Sequence, residues 1–424
     1  MIQQSKKQIW TWVPSLYFAE GLPYAMVMIV SVIMYKKLGL SNTDIALYTS
    51  WLYLPWVIKP FWSPIVDIFR TKRFWIVTMQ LLIGAGLAGV AFTIPSSDPL
   101  KYTMALFWLL AFSSATHDIA ADGFYMHALS SHDQAWMIGI RNTFYRFAIL
   151  FGQGLLVMFV GMMEFWTGNV TTAWSITFGV LAGLFIIFSI YHRWMLPVPL
   201  SDYRHSNLKL SEAVRTFIQV FISFFKKPKI SLVIIFILFY RFGEAQLVKI
   251  APLFILDSLE AGGLGLTTIE LGFATGTLGM IMLTIGGVTG GFFAAKHGLK
   301  AWIIWMALAM KLPDFVYVFM AWAQPESYLL INIFIAIEQF GYGFGFTAYL
   351  LFMMMISEGE HKTAHYAICT GFMALGMMIP GMFSGALQEA IGYYHFFIWV
   401  IVATIPGLIL IKFLPIDSNF GKKE

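Results

Sequence analysis

IWTWVPSLYFAEGLPYAMVMIVSVIMY, residues 9–35, is long and apolar enough to cross a bilayer, yet it carries a carboxylate, Glu20, near its middle. A spanning helix needs about 20 mostly apolar residues. A charge at bilayer depth costs on the order of several kcal/mol, so such residues face a bundle interior or a water-filled path. The same anomaly recurs in THDIAADGFY (Asp118 and Asp122), in RFGE (Glu244) and in IAIEQFGYGFGF (Glu338). Counted along the chain, these are spans 1, 4, 7 and 10 of twelve. A three-span recurrence is what two six-helix halves, each built from three-helix repeats, place around a central cavity. The pattern reads as a transporter that carries protons or cations with its cargo.

Composition fits that reading. Of 424 residues 59% are hydrophobic and only 12% charged, with a mean hydropathy of +0.74. Twelve spans with short connections use most of the chain and leave no room for a globular enzyme domain. The net charge of +5 is therefore assigned to loops, where Lys and Arg gather on the cytoplasmic side, and not to nucleic-acid binding. The one cysteine, Cys369, excludes an internal disulfide and a cysteine metal cluster, and no His/Cys/Asp set has metal-ligand spacing. No cofactor is expected. The first apolar stretch contains Pro14, Glu20 and Pro23 and lacks a small-residue cleavage site, so it reads as the first span and not as a cleaved signal.

The expected spans are 9–35, 44–66, 74–95, 102–128, 134–163, 172–195, 229–256, 268–295, 301–322, 327–356, 363–388 and 392–413. All are helices, because only helices and closed barrels satisfy the backbone in lipid. Residues 1–196 form one six-helix half and 229–424 the other. Between them lies a basic cytoplasmic linker, 197–228, that turns amphipathic in EAVRTFIQVFISFF. Basic residues such as Lys6, Lys7, Arg70, Lys226, Lys227 and Lys362 crowd one set of ends, whereas the opposite loops hold Lys36, Lys37 and Lys101. Both termini are therefore placed in the cytoplasm. Tight basic turns after span 2 (WSPIVDIFRTKRFW) and span 8 (GGFFAAKHGLKAW) echo each other, as two pseudo-symmetric halves require.

Asp118 and Asp122 share a helix face, and two carboxylates in one dry site resist ionising together. They suit either proton binding or structural pairing with arginines. Folding spans 4 and 5 back on each other puts Asp122 level with Arg141 and Asp118 level with Arg146. Glu20 sits beside Gly21-Leu22-Pro23, which either breaks the helix at a binding cavity or packs against a neighbour. Arg241 and Glu244 lie three apart and can neutralise each other, or a substrate carboxylate can compete for the arginine fork. The glycines at 341, 343 and 345 read as close helix packing. Lys311 and Asp314 read as a local pair beside a proline kink, and His117, His127 and His365 as packing residues. Tyr24, Trp51, Tyr145 and Tyr240 are candidates to face a cavity, where rings stack on sugars. Asp67 with Arg70, Lys72 and Arg73 is expected to latch the cytoplasmic side. A membrane-embedded acyltransferase using His117 and Asp118 is the reading from another class. No nucleophile elbow or metal motif supports it.

YFAEGLPYAMV, SNTDIALYTSWLYLPWVIKPFWSPIVD, HDIAADGFYMHAL and FYRFAILFGQG, with FYRFGEAQLVKIAPLFIL, TTIELGFATGTLG, GGVTGG and AHYAICTGFMALG in the second half, resemble the AmpG family of permeases. Those proteins belong to the major facilitator superfamily, alongside acetyl-coenzyme A transporters. The resemblance implies the major facilitator fold, here with twelve spans where the best-known members have fourteen, and proton-driven import of anhydromuropeptides across the bacterial inner membrane; a monomer working by alternating access is expected. Related permeases take siderophores or other sugars. The family's two aspartates fall on Asp118 and Asp122, and its Tyr-Arg pair on Tyr145 and Arg146. His117, Arg241, Glu244 and His365 depart from the residues common in the family. Proton coupling is assigned to Asp118, Asp122, Glu20, Glu244 and Glu338, with Asp118 first. Substrate contact is assigned to Arg146, Arg241, Tyr145, Tyr24 and Tyr240.

Overall fold

A computed structural model describes residues 6–129, 131–198, 210–417 and 420. The first span is α1 (Lys6–Ala25), a π-helical turn over Met26–Val30 and α2 (Ser31–Lys37). The second is a series of short pieces: α3 (Asn42–Trp51), α4 (Leu54–Ile58), a 3₁₀ turn over Lys59–Phe61 and α5 (Ser63–Ile68). Pro55 and Pro60 lack the N–H that a continuous helix needs. Then follow α6 (Lys72–Thr93), α7 (Pro99–Ala128), α8 (Ser131–Leu150), a π turn over Phe151–Leu156, α9 (Val157–Thr167) and α10 (Val170–Met195). The amphipathic segment expected in the linker is α11 (Leu210–Phe225). Most of the linker before it, residues 199–209, lies outside the described residues.

The chain resumes with α12 (Ile230–Tyr240) and α13 (Phe242–Leu256), separated at Arg241. It continues through α14 (Thr268–Leu271), a π turn over Gly272–Leu278, α15 (Gly279–His297), α16 (Leu299–Lys311), α17 (Phe315–Ala323), α18 (Tyr328–Ser357) and α19 (Lys362–Ile411). Among the described residues ten helices are long and apolar enough to cross a membrane. One of them is double: α19 is broken at Gly392, whose φ of 74° suits glycine. With that division and the fragmented second span, the twelve expected spans are all present. Helix starts carry polar caps where the chain leaves the apolar slab. Thr71 accepts from the Phe74 amide, Asn169 from Thr172, and Thr267 forms a capping box with Glu270. Large apolar side chains such as Phe92, Phe165, Trp194 and Trp322 are exposed, as a lipid-facing surface requires.

The chain folds into two compact units, Met1–Met34 with Ile58–Ile218, and Tyr35–Val57 with Gln219–Glu424. In the first, Trp12, Tyr17, Phe124 and Tyr125 form the core of α1 and α7. In the second, Phe236, Tyr240, Tyr349 and Phe352 join α12 to α18, and Phe224 seats α11 on that core. Lys227, just past α11, donates to the carbonyls of Ile356 and Glu358, both at 2.8 Å. Burial outweighs its charged neighbours and pushes the Lys227 ammonium below its ordinary range.

The glycines of α15 and α18 are packing residues, as expected. A Cβ on Gly343 would overlap the Leu283 carbonyl, and one on Gly286 the Phe340 carbonyl. Gly343→Ala therefore costs on the order of 1–3 kcal/mol. It should lower the inactivation temperature in detergent. Gly291→Ala, which meets nothing within 4 Å, should leave it unchanged.

Candidate functional site

In the first unit the acidic residues of spans 1 and 4 share one cluster. Gly21 lets α1 lie close to α8: a Cβ there would sit 2.7 Å from the Tyr145 carbonyl oxygen and 3.0 Å from the Ala148 Cβ. The helix runs unbroken through Pro23, and its departure from α geometry comes one turn later, at the π turn. Packing therefore accounts for Gly21, and Glu20 is left to be explained. It is 6% exposed, and its Oε2 has no hydrogen-bond partner among the described residues.

Asp122 pairs with Arg141 at 2.7 Å and accepts from the Tyr17 hydroxyl at 3.3 Å. The Arg141 guanidinium lies 4.5 Å from the centre of the Tyr17 ring. That pairing was foreseen; the next was not. Asp118 faces Lys59, 3.9 Å away, and Arg146 is exposed. The reason is helix phase. Five residues at about 100° each turn Arg146 well away from Arg141, while Asp118 and Asp122 stay on one face. Tyr24 and Tyr145 are half-buried and keep their candidacy.

His117 points away from this cluster. It meets Gln80 at 3.0 Å, Gln80 meets His192 at 3.0 Å, and His192 meets Ser15 at 3.0 Å. These contacts join α7, α6, α10 and α1, which is the packing role expected of it. His365 likewise meets Ser223 at 2.9 Å.

The expected cytoplasmic latch is differently arranged. Lys72 is buried, its side chain lying against the position a Gly123 Cβ would take, and Arg73 donates to the Arg193 carbonyl. Both are engaged inside the first unit. Arg70 is exposed, with its guanidinium 5.7 Å from the Phe74 ring centre. The Asp67 side chain lies outside the described residues.

The second unit holds a separate ion cluster. Arg241, at the break between α12 and α13, directs Nε and Nη2 at Glu244 Oε1, at 3.1 and 2.7 Å. Its Nη2 also donates to the Tyr342 hydroxyl at 2.6 Å. Lys311 reaches Glu244 Oε2 at 3.5 Å. Two expectations change here. The fork of Arg241 is occupied and buried, so it is not free to take a substrate carboxylate. Lys311 joins Glu244 and is not simply the local partner of Asp314. Asp314 is 3% exposed, with an unpartnered Oδ2. Glu338, also buried, accepts from Gln339 at 2.8 Å. Tyr240 belongs to the core: it stacks on Tyr349 at 5.0 Å and donates to the Gly345 carbonyl.

Two features of this unit went unread in the sequence. A polar seam pins α3 to α19: Asn42 donates to Gln388 at 2.6 Å and to the Tyr393 hydroxyl at 2.9 Å, and Thr43 bonds Glu389. Beside it Lys36 pairs with Asp257 at 2.6 Å. The other is Lys249, buried in α13. A lysine within an apolar span is a signal in itself. No group of three His, Cys, Asp or Glu among the described residues is placed to hold a metal ion.

The profile of the Major Facilitator Superfamily matches residues 15–287. A protein of Rickettsia conorii described as "Putative transporter AmpG 4" is 25% identical over 95% of this chain and 96% of its own length. The "Anhydromuropeptide permease" of Escherichia coli is 24% identical over 96% of this chain and 81% of its own. Among solved structures, a D-xylose-proton symporter superposes with a TM-score of 0.71 at 15% identity, covering 99% of both chains. A bacterial homologue of the lysosomal transporter Spinster, in an inward-facing form, gives 0.71 at 13% identity, covering 96% and 97%. These two share the fold. Helical spans, buried carboxylates in both units and the matching profile lead to one assignment: the chain belongs to the major facilitator superfamily and is a multi-span secondary transporter, not an enzyme.

Proposed function

We propose that the protein is a proton-coupled importer of anhydromuropeptides or related amino-sugar compounds, acting as a monomer in a bacterial inner membrane with both termini cytoplasmic. The observation that carries the coupling is Glu20. A buried carboxylate with one oxygen that lacks a hydrogen-bond partner among the described residues costs much more as a charge than when it holds a proton. Two ion pairs, Asp122–Arg141 and Lys59–Asp118, belong to the same acidic cluster, so uptake or loss of that proton can be felt by four other charges. Asp118 and Asp122 remain members of the coupling group, and Glu244 and Glu338 are their counterparts in the second unit.

Support for the cargo comes from the relatives, one of which is named for anhydromuropeptides. Exposed Arg146, with half-buried Tyr145 and Tyr24, offers a cation and rings to such a molecule. Arg70 and Asp67 remain the proposed cytoplasmic latch.

Purified protein in proteoliposomes should accumulate labelled anhydromuropeptide when an inward proton gradient is imposed. Unlabelled muropeptide should compete, and a siderophore and free sugars should not. Gradient-independent uptake overturns the coupling, and competition by the siderophore overturns the cargo.

A further inference from the structure

Lys249 is 3% exposed, on α13, in the apolar part of its span. Its single hydrogen bond among the described residues goes to the Thr49 hydroxyl at 2.8 Å, and the Tyr53 ring centre lies 5.5 Å from the ammonium. The other buried cations of this unit are matched: Arg241 and Lys311 share Glu244. Lys36 holds Asp257. Lys249 has no carboxylate within ion-pair distance among the described residues. An ammonium placed this way bears a desolvation cost that a hydroxyl and a ring face offset only in part.

Two further facts point to a missing partner. The Ser50 hydroxyl, fully buried one residue from Thr49, has no hydrogen-bond partner among the described residues. The backbone beside both groups is glycine: a Cβ on Gly381 would lie 2.7 Å from Ser50 Oγ and 3.5 Å from Lys249 Cγ. An ammonium with unused N–H donors and a buried hydroxyl without a partner among the described residues, both close to the Gly381 backbone, together make the donor set of a small anion site.

We propose that Lys249, with Ser50, binds the carboxylate of the transported substrate. This rests on the reading of the cargo as an acidic amino sugar. Thr49 then occupies the ammonium when the carboxylate is absent, so substrate and α3 compete for the same donor. The assignment also fills the role that Arg241 cannot, since its fork is taken by Glu244.

The test is binding to the full chain in detergent, read as ligand-induced shifts of the melting temperature. The probes are N-acetylmuramic acid, whose free lactyl carboxylate stands in for the peptide carboxylates of a muropeptide, N-acetylglucosamine, which has no carboxylate, and chloride. A charge-assisted hydrogen bond is worth about ten- to a hundredfold in affinity. Wild type should therefore prefer the acid by about that factor, Lys249→Met should abolish the preference, and Lys249→Arg should keep part of it. Melting of each variant without ligand reports folding, and the arginine variant carries the test if the methionine variant does not fold.

A preference that survives in Lys249→Met, or is missing from wild type, overturns the assignment. So does stabilisation by chloride equal to that by the acid, which would make this a site for a free inorganic anion. Failed muropeptide uptake with a Lys249-dependent preference intact overturns only the cargo reading. Uptake without such a preference overturns only Lys249.

Discussion

Glu20→Gln is expected to abolish concentrative uptake while leaving exchange down a gradient intact. A proton carried with one carboxylate moves no net charge, so its drive is the pH difference, worth about 1.4 kcal/mol or about tenfold accumulation per pH unit. In the variant that ratio should fall to about one. Glutamine copies the shape of the protonated acid and cannot release its hydrogen, so the transporter is held in the loaded form. Equilibrative exchange needs no release, and it should persist. The measurement is the accumulation ratio in proteoliposomes under an imposed potential and pH gradient, beside counterflow of labelled substrate without either. Asp118→Asn is the informative companion, because Asp118 was the first choice from the sequence. Its carboxylate already faces a cation, Lys59, 3.9 Å away. Glu20 has a bare oxygen. Accumulation lost in Asp118→Asn and kept in Glu20→Gln would return the proton to Asp118.

What the sequence could and could not disclose follows from which contacts are local. Arg241 and Glu244 lie on adjacent turns, so their pairing is set by helix geometry alone and was legible. Asp122 and Arg141 needed one more step, folding back two consecutive spans, and that too was legible. Beyond consecutive spans the information fails. In a soluble helix a polar stripe marks the outer face, but here lipid and core are both apolar. Rotation of each helix is then hidden. Hence the sequence pairs Arg146 with Asp118, offers Tyr240 to a cavity and leaves Lys311 with its chain neighbour Asp314, where the helices turn each elsewhere. The glycines of α15 and α18 were the exception among distant contacts, because a run of small residues discloses close approach whatever the partner. Lys249 was legible in kind and overlooked. Its partner Thr49, 200 positions away, was not legible at all.

The Arg241–Glu244–Lys311 cluster should prove the most sensitive point of the second unit. Glu244 is 2% exposed and serves two cations, so Glu244→Gln leaves both buried with no carboxylate at Glu244 to face them. Breaking a buried pair by removing one member costs about 3–5 kcal/mol, because the survivor stays charged and dry. Arg241→Ala should cost at least as much, since the guanidinium also bonds Tyr342 and lies 4.8 Å from the Phe346 ring centre. Arg241→Lys keeps the charge but loses the two-nitrogen grip on Oε1, so it should fall between Arg241→Ala and wild type. Removing both signs is predicted to be milder than removing either. Arg241→Met with Glu244→Leu leaves Lys311 beside Asp314 and abolishes the two charges that most need each other. Inactivation temperature in detergent for the two singles and the double gives the coupling between the sites. If the cluster exists for stability, the double recovers most of the loss and transport survives. If Glu244 also exchanges protons during the cycle, the double regains its melting temperature but not its accumulation. A double no more stable than the worse single would show that the cluster is not held together by its charges.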